Sequence, residues 1–401
     1  MARSALYSER RLRHPVHVKT PALSCAKRSV YLERNGDLVK KFVAVCAAMM
    51  AVGLFGLAFA TPASADPQNS NSHAIIVRPG QSIQVAIDAA RPGTTIVVKP
   101  GTYAENLTIT TDGLKLLGHG AKLVPPANPQ PNICSDPDPA TDGICAVGQL
   151  DFSDPNNPVV VDPLDNVTIG GFTISDFPGS GVFFFGAHNP SVVGVRALGN
   201  EEYGIARFTS TGGKIVSSVA TGSNEAGIYV GDSPNANVVL AANEVSGNLF
   251  GFFLRDSAHG KVVGNRVHDN CLGVLNLNTG SNQAGNYAIL GNKISHNNKF
   301  CPSDPEEDTP PLSGIGIAIV NGHENTVRGN QITNNVPSGD SAFSGGVVVV
   351  DFGGGVEAPF GNRVSSNVVL HNQPDIFWDG SGTGNVFTHN VCQTSEPSGL
   401  C

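Results

Sequence analysis

The chain has 401 residues, 47 glycines, 6% aromatics and a formal net charge of −8. That length allows two ordinary domains, yet a repeat protein grows by adding coils and can form one long unit. No run of Ala, Glu, Lys and Leu at helical spacing occurs, which excludes long helices.

Residues 1–65 read as export machinery. Lys40 and Lys41 form a basic region, Phe42 to Ala60 an apolar stretch, and Ala63-Ser64-Ala65 a small-residue cleavage site, so the mature chain is expected to begin near Asp66. The apolar stretch falls short of a typical ~20-residue membrane span and is followed by that cleavage site, so no span is expected after processing. Cys46 follows Val45 rather than a small residue, which argues against a lipid anchor. Residues 1–38 are basic and patternless, and a signal with so long a preamble is unusual. A start at Val39 from a non-ATG codon, with 1–38 untranslated, accounts for it; nascent precursor whose sequenced N-terminus lies upstream of Val39 would rule this out. The leader holds 10 of the 25 Lys and Arg but 3 of the 33 Asp and Glu. Residues 66–401 therefore carry 15 basic and 30 acidic side chains, a net of −15. Such a surface repels nucleic acid and anionic lipid, and disfavours polyanions such as pectate or alginate unless calcium bridges the two.

The exported part opens with Pro79-Gly80, Ser82-Ile83-Gln84, Ala86-Ile87, Pro92-Gly93-Thr94 and Pro100-Gly101-Thr102-Tyr103. Ser82 is an N-cap candidate, with Ile83, Ala86, Ile87 and Ala90 on one face of a short helix. Laid across an open end, that helix would cover the first coil, as solenoid ends require. From Val167 onward the chain repeats itself. Gly181, Gly204, Gly227, Gly251 and Gly273 follow at 23, 23, 24 and 22 residues, each opening a short apolar run. A second phrase runs in phase: Gly264-Asn265-Arg266-Val267, Gly291-Asn292-Lys293-Ile294, Gly329-Asn330-Gln331-Ile332 and Ser366-Asn367-Val368-Val369. Runs this short cannot be amphipathic helices and fit strands, at least two per coil. Corresponding strands would pair in parallel about 4.8 Å apart and stack their inward side chains into one core. The fold class is therefore all-β, a single-stranded right-handed parallel β-helix over residues 66–401. Asn and Gly are expected at corners that need left-handed backbone angles, with Asn200, Asn224, Asn248 and Asn270 as one column. Two longer steps, 43 residues from Gly273 to Gly316 and 30 to Gly346, hold insertions at 299–313 and 336–344. Both leave just before the Gly-led strand and should wall the same face.

Six cysteines remain after the leader, an even number in an exported chain, which suggests disulfides. Six allow 15 pairings; proximity favours Cys134 with Cys145, Cys271 with Cys301, and Cys392 with Cys401, the last looping the C-terminal cap. No zinc-type spacing appears.

The opening phrase followed by Gly-Asn coils resembles the right-handed β-helix superfamily that includes pectate lyases, mannuronan epimerases and NosD-type carbohydrate-binding and sugar-hydrolase modules. The resemblance covers about residues 74–392 and implies a scaffold on which members do different chemistry. The Asp-Pro-His-Glu signature of the epimerases and the paired-Asp motif of polygalacturonases are absent. Gly118-His119-Gly120 resembles a polygalacturonase fragment without its partner acids.

Candidate chemistry comes from stacked columns. The fifth residue after each Gly is Thr209, Asp232, Asp256, Asn278, Asn321 and Asp351. Asp232 and Asp256 sit in adjacent coils, so their carboxylates could lie about 5 Å apart, near the spacing of retaining glycosidases, or hold calcium. The plainer alternative is that these polar side chains bond the turn backbone. Arg255 could bind a uronate or pair with Asp256. Phe183, Phe185, Phe208, Tyr229 and Phe253 form a row that faces outward under strict alternation and could stack on a pyranose; a one-residue shift would bury them instead. In that register Arg207 points inward. His268, His296 and His371, with Thr333 between the last two, fit solvated turns better than a metal column, and Asp304, Glu306, Glu307 and Asp308 fit a solvated loop better than a calcium site. The reading that emerges is a secreted β-helix that binds or modifies extracellular polysaccharide or cell-wall glycan. The alternatives are a lyase or hydrolase at Asp232 and Asp256, and a purely structural or adhesive solenoid. Oligomeric state is not legible.

Overall fold

The computed structural model describes residues 74–134, 141–153, 158–280, 284–304 and 309–401. The leader, its cleavage site and the insertion acids Glu306, Glu307 and Asp308 lie outside the described residues.

The coils lay down three parallel sheets of 12, 10 and 11 strands, in each of which neighbours follow chain order. The first runs from Ile75–Val77 to Val386–Thr388, the second from Gly101–Ala104 to Val368–Leu370, and the third from Leu107–Ile109 to Ser395–Glu396. The two phrases of the sequence are the third and second sheets. The first sheet went uncounted because its strands, such as Lys261–Val263, are three residues long with a single buried side chain. That buried position stacks from coil to coil as Ile215, Leu240, Val262, Ile289, Val327 and Val364. The second sheet stacks Ala220, Val245, Val267, Ile294, Ile332 and Val369 in the same way. All belong to one core that fills the coil interior. Each fully buried Val, Ile or Leu contributes about 1.5–3 kcal/mol.

Backbone turns between sheets are held by asparagine ladders. Between the first and second sheets, Asn243, Asn265, Asn292, Asn330, Asn367 and Asn390 stack. From Asn265 onward, the Oδ1 of each accepts the backbone N–H and the Nδ2 of the Asn one coil earlier, at 2.9–3.1 Å, while Asn243 Oδ1 accepts from Ser218 N. Between the second and third sheets, Asn248, Asn270, Asn297, Asn335 and Asn372 do the same, and the Asp375 carboxylate closes the series. These asparagines correct an expectation, because the left-handed angle falls on the residue before them: Gly264, Gly291, Gly329 and Ser366 in one ladder, Gly247, Asp269, His296, Asn334 and His371 in the other. The amide bonds the next coil while its neighbour makes the bend. Asn224 is likewise not in the column. It is exposed, and Ser223 fills the buried place, its N–H given to Asn248 Oδ1 at 2.9 Å.

The ends are closed as the sequence suggests. Helix Ile83–Asp88 is capped by Ser82, whose Oγ accepts from Val85 N, and buries Ile83, Ala86 and Ile87. Glu105 accepts from Ile83 N, Gln84 N and Ser82 Oγ. The Gln84 amide bonds both the N–H and the carbonyl of Thr108, at the edge of the third sheet. At the far end Cys392 and Cys401 close a loop, while Cys134 pairs with Cys145 and Cys271 with Cys301.

Asn330 makes four side-chain bonds: it accepts from Asn292 N and Nδ2, and donates to Ile289 O and Asn367 Oδ1. Asn330→Ala leaves these buried groups unpaired, each worth ~1–3 kcal/mol. Urea unfolding should show a loss of about 3 kcal/mol. A loss under about 0.5 kcal/mol would mean that the apolar stack alone holds the coils.

Candidate functional site

The third sheet carries the candidate residues on its outer side, where its middle strands are long and its surface is apolar. Ala226–Ser233 and Phe250–Ser257 each run eight residues. Ile228, Val230, Phe252 and Leu254 point into the interior and alternate with Tyr229 and Phe253, which lie in a second cluster outside; Ala226 and Phe250 join that outer cluster because the alternation breaks at Gly227 and Gly251. Cys301 and Leu312 of one insertion belong to that outer cluster, and Phe343 of the other packs against it. Both insertions thus stand on the same face, as their place in the repeat implies.

The row Phe183, Phe208, Tyr229 and Phe253 does face outward, with successive ring centroids 5.2, 4.7 and 5.2 Å apart. Tyr203 stands 4.7 Å from Tyr229, and Phe250 4.6 Å from Phe253. The rings are not exposed, which corrects the expectation of a sugar-stacking row. Phe183, Phe208, Tyr229 and Phe253 are 4%, 5%, 1% and 8% exposed, and Phe185 is half-buried. Their faces are spent on one another, and a pyranose needs a free face. Arg207 does point inward. It is buried, gives Nη1 to Gly212 O at 2.8 Å, and burial pulls its guanidinium down to about 10. It belongs to the core.

The polar column lies where the strands end. Thr209, Asp232, Asp256 and Asn321 all have left-handed φ, so these side chains sit at a bend. Asp232 and Asp256 occupy matching places, since Gly231 pairs with Arg255 and Ser233 with Ser257. Asp256 is buried and engaged: Thr279 N bonds Oδ1 at 2.8 Å, Thr279 Oγ1 bonds Oδ2 at 2.5 Å, and Arg255 Nε lies 3.5 Å from Oδ2. These contacts satisfy both oxygens, the plainer of the two alternatives. Asp232 differs. Burial raises its pKa; Arg255 opposes that and Asp256 adds to it. For Arg255, burial works downward but Tyr229, Asp256, Asp232 and Tyr203 outweigh it and raise the pKa. The site thus joins Asp232, Arg255 and Asp256 with two phenols. Tyr203 was missed in the sequence, although it precedes Gly204 where Phe250 precedes Gly251.

Among the described residues no group of three or more His, Cys, Asp or Glu is placed to hold a metal. Calcium at Asp232 and Asp256 would therefore need most of its ligands from amides, backbone and water. His296 and His371 sit at left-handed turns, whereas His268 ends strand Arg266–His268. His296 and His371 flank Asn334, not Thr333, and His268 lies outside their column, bonded to Asp269 at 2.6 Å and Glu244 at 3.3 Å. His119 is exposed at the end of strand Lys115–Gly118.

Asp351, the last of the column, opens on a cavity of about 430 Å³. Its wall includes Phe343, Phe352 and Phe377 together with Asp351, Asp379 and Glu396. Asp351 Oδ1 accepts from Asn321 Nδ2 at 2.7 Å and Gly353 N at 2.8 Å, and Asp379 Oδ2 accepts from Asp351 N at 2.8 Å. Phe352 is 54% exposed and meets Phe343 edge to face, centroids 6.2 Å apart. Here, unlike in the row, a ring is exposed. No periodic signal marks the cavity, because its rings come from an insertion, a strand end and the last coil.

A family model described as right handed beta helix region matches residues 243–401, and one described as periplasmic copper-binding protein (NosD) matches 141–309. The chain folds as a right-handed parallel β-helix. This β-helix is similar to the Azotobacter vinelandii mannuronan C-5 epimerase AlgE4 A-module, at 17% identity over 77% of this chain and 89% of that one, TM-score 0.48. It is also similar to DFA-IIIase from Arthrobacter chlorophenolicus A6, at 14% identity over 75% and 83%, TM-score 0.44. The sequence matches none of the curated proteins compared with it. The described residues do not fit a copper centre: their cysteines are all in disulfides, they include no methionine, and no histidines converge.

Asp232 gives a pH test. Its raised folded pKa means that the folded state holds the proton longer, so its contribution is full below the unfolded value and is lost as pH rises through the folded value. Asp232→Asn should therefore gain stability over the parent at pH 7 relative to pH 4 in paired melting curves. An identical difference at both pH values would contradict this.

Proposed function

We propose that this protein is an exported polysaccharide-binding β-helix, with its sugar site in the cavity of the last coils. The carrying observation is that cavity: an exposed Phe352 ring, two further rings and three carboxylates in one concave wall. A pyranose offers an apolar C–H face to a ring and hydroxyls to carboxylates, and sites of this kind combine an apolar wall with a few placed polar groups. Export is supported by the leader pattern, and by the three disulfides, which form in oxidising compartments. The outward row, packed on itself, supports the face rather than reading the sugar.

A second reading, a lyase or hydrolase, is favoured by one observation: burial holds the Asp232 carboxyl toward its protonated form beside Arg255, as a general acid requires. Asp256, with both oxygens occupied, would position Arg255 rather than attack. The readings separate cleanly. With the purified exported protein, Phe352→Ala should weaken glycan binding at least about ten-fold, a loss of ~1.4 kcal/mol, with no new reducing or unsaturated ends from parent or variant. New ends that disappear in Asp232→Asn would establish the enzyme instead, and unchanged binding in Phe352→Ala would refute the cavity.

A further inference from the structure

We infer that the cavity of the last coils prefers a cationic amino sugar, such as a de-N-acetylated hexosamine polymer, over neutral and uronate sugars. The inference rests on the sugar-binding reading of that cavity and adds its charge. Asp351, Asp379 and Glu396 line it, and no Lys, Arg or His does. Three carboxylates in one wall without a base repel a uronate and leave an ammonium group the fitting counter-charge. A bound divalent ion is a poorer occupant, because no group of three or more His, Cys, Asp or Glu among the described residues is placed to hold one. An ammonium group needs less: two or three acceptors at hydrogen-bond distance, with water completing its shell.

The three acids are unequally available. Asp379 Oδ1 already accepts from Ser381 N and Oγ, and its Oδ2 from Asp351 N. Asp351 Oδ1 is taken by Asn321 and Gly353. Glu396 is exposed, on the final short strand Ser395–Glu396 beside the Cys392–Cys401 loop, and its carboxylate makes no side-chain hydrogen bond to a described residue. It is thus the carboxylate free to meet a ligand cation, while the ring of Phe352 takes the apolar face of the sugar. The net charge of −15 over residues 66–401 adds long-range attraction for a polycation, which acts on the whole surface and weakens with salt.

The test compares hexamers of β-1,4-linked glucosamine, β-1,4-linked glucose and galacturonate by calorimetry on the whole exported protein, with Glu396→Gln and Phe352→Ala as variants. The glucosamine hexamer should bind about five-fold tighter than the glucose hexamer, and the galacturonate hexamer weakest. Glu396→Gln should weaken glucosamine binding more than glucose binding and so cut the glucosamine advantage by about three-fold, whereas Phe352→Ala should weaken both equally. Equal affinity for the amino and neutral hexamers, or a glucosamine advantage untouched by Glu396→Gln, overturns the inference; the second outcome assigns the attraction to the whole acidic surface. If glucose binding still depends on Phe352 in either case, the sugar-binding reading stands. Failure of every hexamer to bind overturns both.

Discussion

Everything in this molecule depends on the side-chain amide bond between one coil and the next. Each ladder Asn satisfies its own carboxamide, the backbone N–H of the previous coil's Asn and, in most coils, a carbonyl, all inside the protein where an unmade bond costs ~1–3 kcal/mol. The ladders therefore set the phase of the coils and not only their spacing. With the phase fixed, one apolar residue per strand suffices for the first and second sheets, and strands three residues long can pair for ten or twelve coils. The third sheet is released from that economy: its strands lengthen to eight residues, and its outer face gains a cluster of its own.

That outer face accounts for where chemistry can sit. A phased solenoid repeats any residue type coil after coil, which produces both the ring row and the polar column at the strand ends. Repetition also disarms them. Rings about 5 Å apart pack against one another, and a carboxylate at a left-handed bend, such as Asp256, is taken up by the neighbouring turn. Departures from the repeat leave side chains available: the 336–344 insertion, the strand end at Asp351 and the final strand together make a wall with an exposed ring.

The fold was largely legible because it is written many times over. The Gly spacing, the capping helix at Ser82 and the three cysteine pairs each follow from short-range pattern. Errors arose where a residue type has two uses. Asn serves left-handed turns and amide ladders alike, so its spacing does not separate bend from rung; in the fold Gly264 bends and Asn265 bonds. The ring row was placed on the correct face, but sequence carries no measure of how closely neighbouring rings pack. Asp232 and Asp256, the latter next to Arg255, occupy matching places in neighbouring coils, and Tyr203 is marked by its place before Gly204, while the Phe352 cavity, built from parts with no common period, left no trace to read.

The most direct test is amide hydrogen exchange of the protein with and without its tightest-binding glycan. The account predicts new protection in residues 342–352 and 374–379, with 226–257 unchanged. Protection centred on 226–257 instead would place the ligand on Asp232 and Arg255 and contradict the assignment of the sugar to the last coils.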